Sequence, residues 1–299
     1  MPGTTRNRPR TAELCSEATG TPYRTCLNWA ARDLISRCLP VPDAATSDQR
    51  ITESLMVAEL ADGLREDEQR DGALLGFTQA RPTAAGLSLR LHPAMADQVL
   101  GLLLPRIDEW YGGLRGVPGL RVVPHGRDWV LTRVQGNAVV HLVHPDGKWK
   151  PELPGHGDGL TQLWRRNRHR LHPAEAACLD DWRRGGGDAG TALAQDWLNS
   201  RMLRRPLLLR LAGATHGSAN TYTHGRGRLV VEWCCGIERA ELEKRLRRSG
   251  LACRPDGIEE HPRDRWQFAD RVGMGGAHVT LRRGVCSYGS VQTSTGGPR

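Results

Sequence analysis

Residues 120–144, LRVVPHGRDWVLTRVQGNAVVHLVH, hold three apolar runs cut by turn residues. Leu120–Val123, Trp129–Val134 and Ala138–His144 each fit a strand, and Gly126, Arg127 and Asp128 break the first from the second. Upstream, Leu87–His92 alternates like a strand and Met95–Leu114 is predicted as one long helix. A similar order returns near the C-terminus. Leu229–Trp233 reads as a strand, Ile237–Ser249 as a charged amphipathic helix ended by Gly250, and Arg265–Val272 and His278–Val285 as strands. Another strand-like run, Leu207–Leu211, precedes that unit. Short words match as well: PHGRDWVLTRV (124–134) beside HPRDRWQFADRV (261–272). Either one β-α-β-β unit has been duplicated, or two common strand–helix–strand strings coincide. The fold class is α+β, with a helical hairpin, two possible β-α-β-β units with antiparallel strands, and an Arg-rich helical connection. The expected divisions are 1–38, 48–152, 153–205, 206–289 and a disordered tail at 290–299.

Composition limits the function classes. The 299 residues suffice for two modest cores. No apolar run approaches the roughly 18–20 residues of a membrane span, and no apolar region follows the basic N-terminus. A cytoplasmic protein without membrane partners is expected. The eight cysteines include no C-x-x-C pair, so reduced buried thiols are expected, with no metal or cofactor. Residues 1–160 carry 18 basic and 19 acidic side chains, whereas residues 161–299 carry 24 and 14. The surplus positive charge lies in the second part, where it suits an acidic partner such as nucleic acid.

The N-terminal stretch RTAELCSEATGTPYRTCLNWAARDLIS (10–36) reads as two helices. Gly20 ends the first, Thr21 is a candidate N-cap, and Pro22 opens the second. Tyr23, Cys26, Leu27, Ala30, Leu34 and Ile35 form the expected buried stripe. Arg24, Asn28 and Arg32 line another face, with Thr25 beside them, and Arg and Asn are the side chains suited to purine edges. The pattern A-x-x-L/C…T-G-x-P-Y-x-x-x-L resembles the short helix–turn–helix segment of actinobacterial and mobile-element proteins. That resemblance implies DNA contact through the second helix. A plain amphipathic hairpin has the same pattern. Two helices need a third element, and the acidic helix bearing Ile51, Leu55, Leu60 and Leu64 either covers the back of the hairpin or begins the next domain.

In 153–205, Arg165, Arg166, Arg168 and Arg170 surround Trp164, and Arg201, Arg204 and Arg205 close the segment. Arginines among Trp164, Trp182 and Trp197 suit a surface that grips backbone and stacks on bases. The alternative is a solvated helical face with its tryptophans turned inward.

Catalytic motifs are sparse. His141 and His144 point to opposite faces of a strand, unlike the same-face pair of rolling-circle nucleases. His278-Val279-Thr280-Leu281 resembles one half of the signature of two-histidine phosphoesterases, whose histidines act as general acid and base. The nearest second copy is His216 with Ser218, in ATHGSANTYTHGRGR (214–228), the best candidate for a functional loop. No G-x-x-x-x-G-K-S/T, G-x-S-x-G or H-E-x-x-H motif occurs. The leading expectation is a non-enzymatic DNA-binding or regulatory protein. The alternatives are a phosphoesterase-like enzyme using a histidine pair and a protein-interaction module.

Overall fold

The chain opens with the helical hairpin α1 (Arg8–Thr19) and α2 (Tyr23–Ala31), and continues into α3 (Ser47–Gly63). These elements belong to a computed structural model that describes residues 7–64, 73, 75–108, 110, 113–152, 159–184, 189–209, 219–223, 228–233, 236–252, 271–274 and 277–283. Strands β1 (Phe77–Pro82) and β2 (Leu87–Leu91) form a hairpin before α4 (Ala96–Leu103). Then come β3 (Arg106–Asp108), β4 (Leu114–Arg115), β5 (Leu120–His125), β6 (Asp128–Arg133) and β7 (Val139–Val143). The connection holds β8 (Leu160–Gln162), α5 (Leu163–Arg166), α6 (Pro173–Arg184) and α7 (Ala189–Leu203). The last part consists of β9 (Ala219–Thr223), β10 (Arg228–Trp233), α8 (Arg239–Arg248), β11 (Arg271–Met274) and β12 (Ala277–Arg283). The α+β class is as the sequence indicates.

The two larger sheets share one connectivity. In the first, the order is β1-β2-β7-β6-β5, with β2 parallel to β7 and the other neighbours antiparallel. In the second, the order is β9-β10-β12-β11, with β10 parallel to β12 and the other neighbours antiparallel. Each is therefore a hairpin, a crossover helix and a returning strand that pairs parallel with the hairpin's second strand. Leu89 faces Leu142 in the first register, and Leu229 faces Val279 in the second. The similar word at 261–272 lies outside the described residues except for its last two positions. The small sheet β4-β3-β8 is separate.

Four sequence expectations need correction. The helix from Met95 stops at Leu103, because Leu104 precedes Pro105 and takes an extended conformation. The chain then makes β3 and β4. The expected strand Leu207–Leu211 is not formed over its described part: Pro206–Leu209 is a short 3-10 turn packed against α1 and β1, and 210–211 lie outside the described residues. That turn and β1 cover the helical hairpin. The acidic helix α3 instead packs along α7. Finally, Cys15, Cys26 and Cys178 are free thiols, but Cys38 is disulfide-bonded.

α3 is buried around much of its circumference, at Gln49, Thr52, Glu53 and Ser54 as well as Leu55, Met56, Val57 and Leu60. Its polar groups need partners away from water. The end of α7 supplies them. Asn199 Nδ2 donates to Ser54 Oγ at 3.1 Å, and Ser200 Oγ donates to Glu53 Oε2 at 2.5 Å. Arg204 Nε and Nη2 clamp the Glu53 carboxylate at 2.7 Å each, with both side chains fully buried. Arg201 pairs with Asp43 at 2.6 Å, and Arg205 Nε donates to Ser249 O at 3.1 Å. Arg201, Arg204 and Arg205, read from the sequence as part of either a nucleic-acid surface or a solvated helical face, are thus interior residues. Their acceptors come from distant segments.

Removing one partner of a buried pair strands the other charge. Glu53→Ala is expected to cost about 3–5 kcal/mol in urea unfolding, and Glu53→Leu with Arg204→Met to recover most of that loss. A single-variant cost below about 1 kcal/mol contradicts the assignment.

Candidate nucleic-acid interface

Gly20 ends α1 in the left-handed conformation, φ 74°, and its N–H reaches Ser16 O at 2.8 Å. A side chain there would press on Gln79 and Leu207. Thr21 is not the N-cap of α2. Its hydroxyl donates to Ala80 O at 2.8 Å, tying the hairpin to β1, and Pro22 occupies the cap position. Gln79 Nε2 adds a second tie to Gly20 O at 2.8 Å.

Cys26 and Ala30 are the buried residues of α2, with Leu27 and Trp29 partly covered. The Cys15 and Cys26 thiols meet in the seam between the two helices. Tyr23 and Leu34, expected in the buried stripe, are 40% and 59% exposed. Leu34 has left the helix, which stops at Ala31 before Asp33 turns to φ 54°. Arg24, Asn28 and Arg32 are exposed and Thr25 is half-buried. The polar face read from the sequence is therefore presented to solvent.

The second group of candidates surrounds α5. Arg165, Arg166, Arg168 and Arg170 are all exposed, and the Arg165 guanidinium lies 4.6 Å over the Trp164 ring. A cavity of about 520 Å³ opens here, bordered by Val123, Thr132, Arg133, Trp164, Arg168 and His169. The turn is held by a clamp that no local motif signals. Arg121 Nε and Nη2 donate to Asn167 O at 2.9 and 2.8 Å, and Nη2 reaches Arg170 O at 3.1 Å. The same guanidinium binds both oxygens of buried Glu175, at 2.9 and 3.0 Å. Glu175 also accepts the Gly119 and His172 N–H groups at 2.8 Å each. Arg133 is likewise occupied, held by Asp48 at 2.6 Å.

These two groups flank one sheet. The hairpin is tied to β1, the Arg-rich turn is tied to β5, and those strands are the two edges of the five-stranded sheet. At about 4.8 Å per strand interval, roughly 19 Å separates the edges. On β7, Val140 and Leu142 are buried whereas Val139, His141 and Val143 are partly open. The same open face follows the register to Ser88 and exposed Arg90 on β2. His125 and His141 meet edge to face on it, with ring centroids 5.9 Å apart.

The histidine-pair reading gains little. His278 is half-buried and Thr280 is 8% exposed, on one face of β12. On β7 of the first sheet His141 is followed two residues on by Val143, so no hydroxyl completes a second copy there. His216 and Ser218 lie outside the described residues. The middle of the expected functional loop is strand β9, and Tyr222 there donates to Glu232 at 2.8 Å and accepts from Arg282 at 2.8 Å. Among the described residues no cluster of three His, Cys, Asp or Glu is arranged to hold a metal ion. No described helix is long and apolar enough to cross a membrane.

Comparisons of the chain with protein-family models, curated proteins and solved structures gave no match.

Burial pushes the Glu175 carboxyl up, but the hydrogen bonds from Arg121, His172 and Gly119 outweigh it and hold it below the ordinary value. Its stabilising contribution is therefore complete above the unfolded-state value near 4.3 and is lost as pH falls through the lower folded one. Urea titrations at pH 7 and pH 3 are expected to show this loss, and Glu175→Gln to flatten it. An equally steep acid loss in the variant contradicts the clamp.

Proposed function

We propose that this protein binds nucleic acid, with duplex DNA as the favoured partner. The observation that carries this reading is the state of six arginines. Arg24, Arg32, Arg165, Arg166, Arg168 and Arg170 are exposed, and none makes an ion pair with a described residue. By contrast, Arg183, Arg184, Arg245 and Arg282 are also exposed but carry carboxylate partners. An unpaired guanidinium keeps its five donors and its charge for phosphate.

The two groups have different chemistry. On α2, Asn28 lies between Arg24 and Arg32, so this face carries both residue types that bind purine edges in pairs of hydrogen bonds. Around α5 the arginines cluster about an aromatic ring and a histidine, with half-buried Asn167 between Arg166 and Arg168. That combination suits phosphate contact and stacking rather than base discrimination. α2 thus selects sequence, and the Arg-rich turn supplies attraction from the far edge of the sheet.

Affinity for duplex DNA is expected to fall steeply with salt. Replacing Arg165, Arg166 and Arg168 with Gln is expected to weaken all duplexes alike and lower the salt slope by about 3, roughly 0.9 for each lost phosphate contact. Arg24→Ala with Asn28→Ala is expected to leave non-specific binding largely intact and to remove about 1–3 kcal/mol of discrimination. The measurement is fluorescence anisotropy with a duplex selected from a random pool. Undetectable binding at low salt, or binding indifferent to salt, contradicts the proposal.

A further inference from the structure

Arginines from the N-terminal hairpin region and from α8 converge on a cavity that neither the α2 face nor the Arg-rich turn uses. Its volume is about 700 Å³, and Arg10 and Leu14 of α1, Arg37 after α2, and Arg247 and Arg248 at the end of α8 line it. Among the described residues no carboxylate lines it. Arg37 and Arg248 are exposed, and neither makes an ion pair with a described residue. Arg10 is engaged by Glu13, one turn along its own helix, and Arg247 by Glu243 on its own helix. The Arg10 pair is exposed, and such a pair is weak and exchanges readily for a better anion, whereas the Arg247 pair is half-buried.

The end of a helix is ordinarily a poor place for an anion, because its last carbonyls are partially negative. Here the carbonyls of Arg245, Leu246 and Arg247 are already answered by the N–H groups of Ser249, Leu251 and Gly250, and the three carbonyls that follow the helix are answered from the interior. Arg205 Nε donates to Ser249 O at 3.1 Å, and Arg201 Nη1 donates to Gly250 O and Leu251 O at 3.4 and 3.2 Å. Among the described residues the buried trio Arg201, Arg204 and Arg205 makes ion pairs with two carboxylates, Asp43 and Glu53. Gly250 fixes the wall. It sits at φ 76°, and a Cβ there would collide with the Cys38 carbonyl, so the Arg37–Cys38 segment lies directly against the turn after α8.

We propose that this cavity is a seat for phosphate groups, occupied by a phosphodiester of DNA bound to the neighbouring helix pair. The assignment of DNA as occupant rests on the nucleic-acid reading above. The phosphate chemistry does not, because several converging guanidiniums match phosphate oxygens whatever carries them. The cavity is much larger than a single phosphate group, as a continuing backbone requires. Its place beside α1 also fits helix–turn–helix docking, in which the first helix crosses the backbone while the second enters the groove. A free nucleotide is the other source of the same chemistry.

Arg37→Gln with Arg248→Gln tests the seat, both residues being exposed, with circular dichroism to confirm folding. Millimolar sodium pyrophosphate is expected to raise the Tm of the native protein and to leave that of the double variant unchanged. Duplex affinity is expected to lose about 2 from its salt slope, roughly one for each lost contact. No pyrophosphate shift in the native protein, or equal shifts in both proteins, overturns the seat even if DNA binding is strong. A pyrophosphate shift lost in the variant, with an unchanged duplex salt slope or no duplex binding at all, overturns DNA as the occupant and assigns the seat to a free phosphate ester.

Discussion

Glu53 and Arg204 meet in the interior with no access to water, and the described architecture turns on that pair. Glu53 lies on α3, ahead of the first large sheet, and Arg204 ends α7, ahead of the second. Arg204 Nη1 also donates to Pro42 O at 2.9 Å and Thr83 O at 2.8 Å. One guanidinium thus gathers the linker after the hairpin, the central helix and the β1–β2 turn. Burying two charges is costly, and their attraction offsets that cost only when the remaining donors and acceptors are filled. Ser200 and Gln49 complete the carboxylate, at 2.5 and 2.7 Å. The arrangement fixes one register of α3 against α7, since sliding either helix by a turn would strand every polar group in the seam.

The same seam separates two uses of arginine. Arg121, Arg133, Arg201 and Arg204 are held by carboxylates from distant segments and act as fixed struts. Arg205 is buried and, among the described residues, makes no carboxylate hydrogen bond; burial, with Arg201 and Arg204 alongside, lowers it to about 9, so it stays charged at neutral pH. The struts hold the turns from which exposed arginines project. Arg121 binds the backbone of Asn167 and Arg170, and Arg201 and Arg205 bind the backbone where α8 ends. Buried charge in this chain positions surface charge.

Much of the fold was legible because it rests on local periodicity. The apolar runs between Leu120 and His144, cut by turn residues, form strands with boundaries close to those expected. The exposed face of Arg24, Asn28 and Arg32 follows from helical spacing alone. Errors arose where a single residue overrides a pattern. Pro105 cuts an apolar helix short, and Asp33 turns Leu34 away from its stripe. Arg201, Arg204 and Arg205 looked like Arg165, Arg166 and Arg168 because an arginine's fate depends on its acids. Asp43 and Glu53 lie roughly 150 positions away, and no local window contains both ends of such a pair. The cavity between α1 and α8 was hidden for the same reason.

Hydrogen exchange of the native protein, with and without a saturating DNA duplex, tests the division between supporting and binding arginines most directly. The account predicts slowed exchange in α2 and across residues 163–170, with α3 and the end of α7 unchanged. Protection confined to the second large sheet, or no protection in α2 and 163–170 under conditions where the duplex is bound, would contradict it.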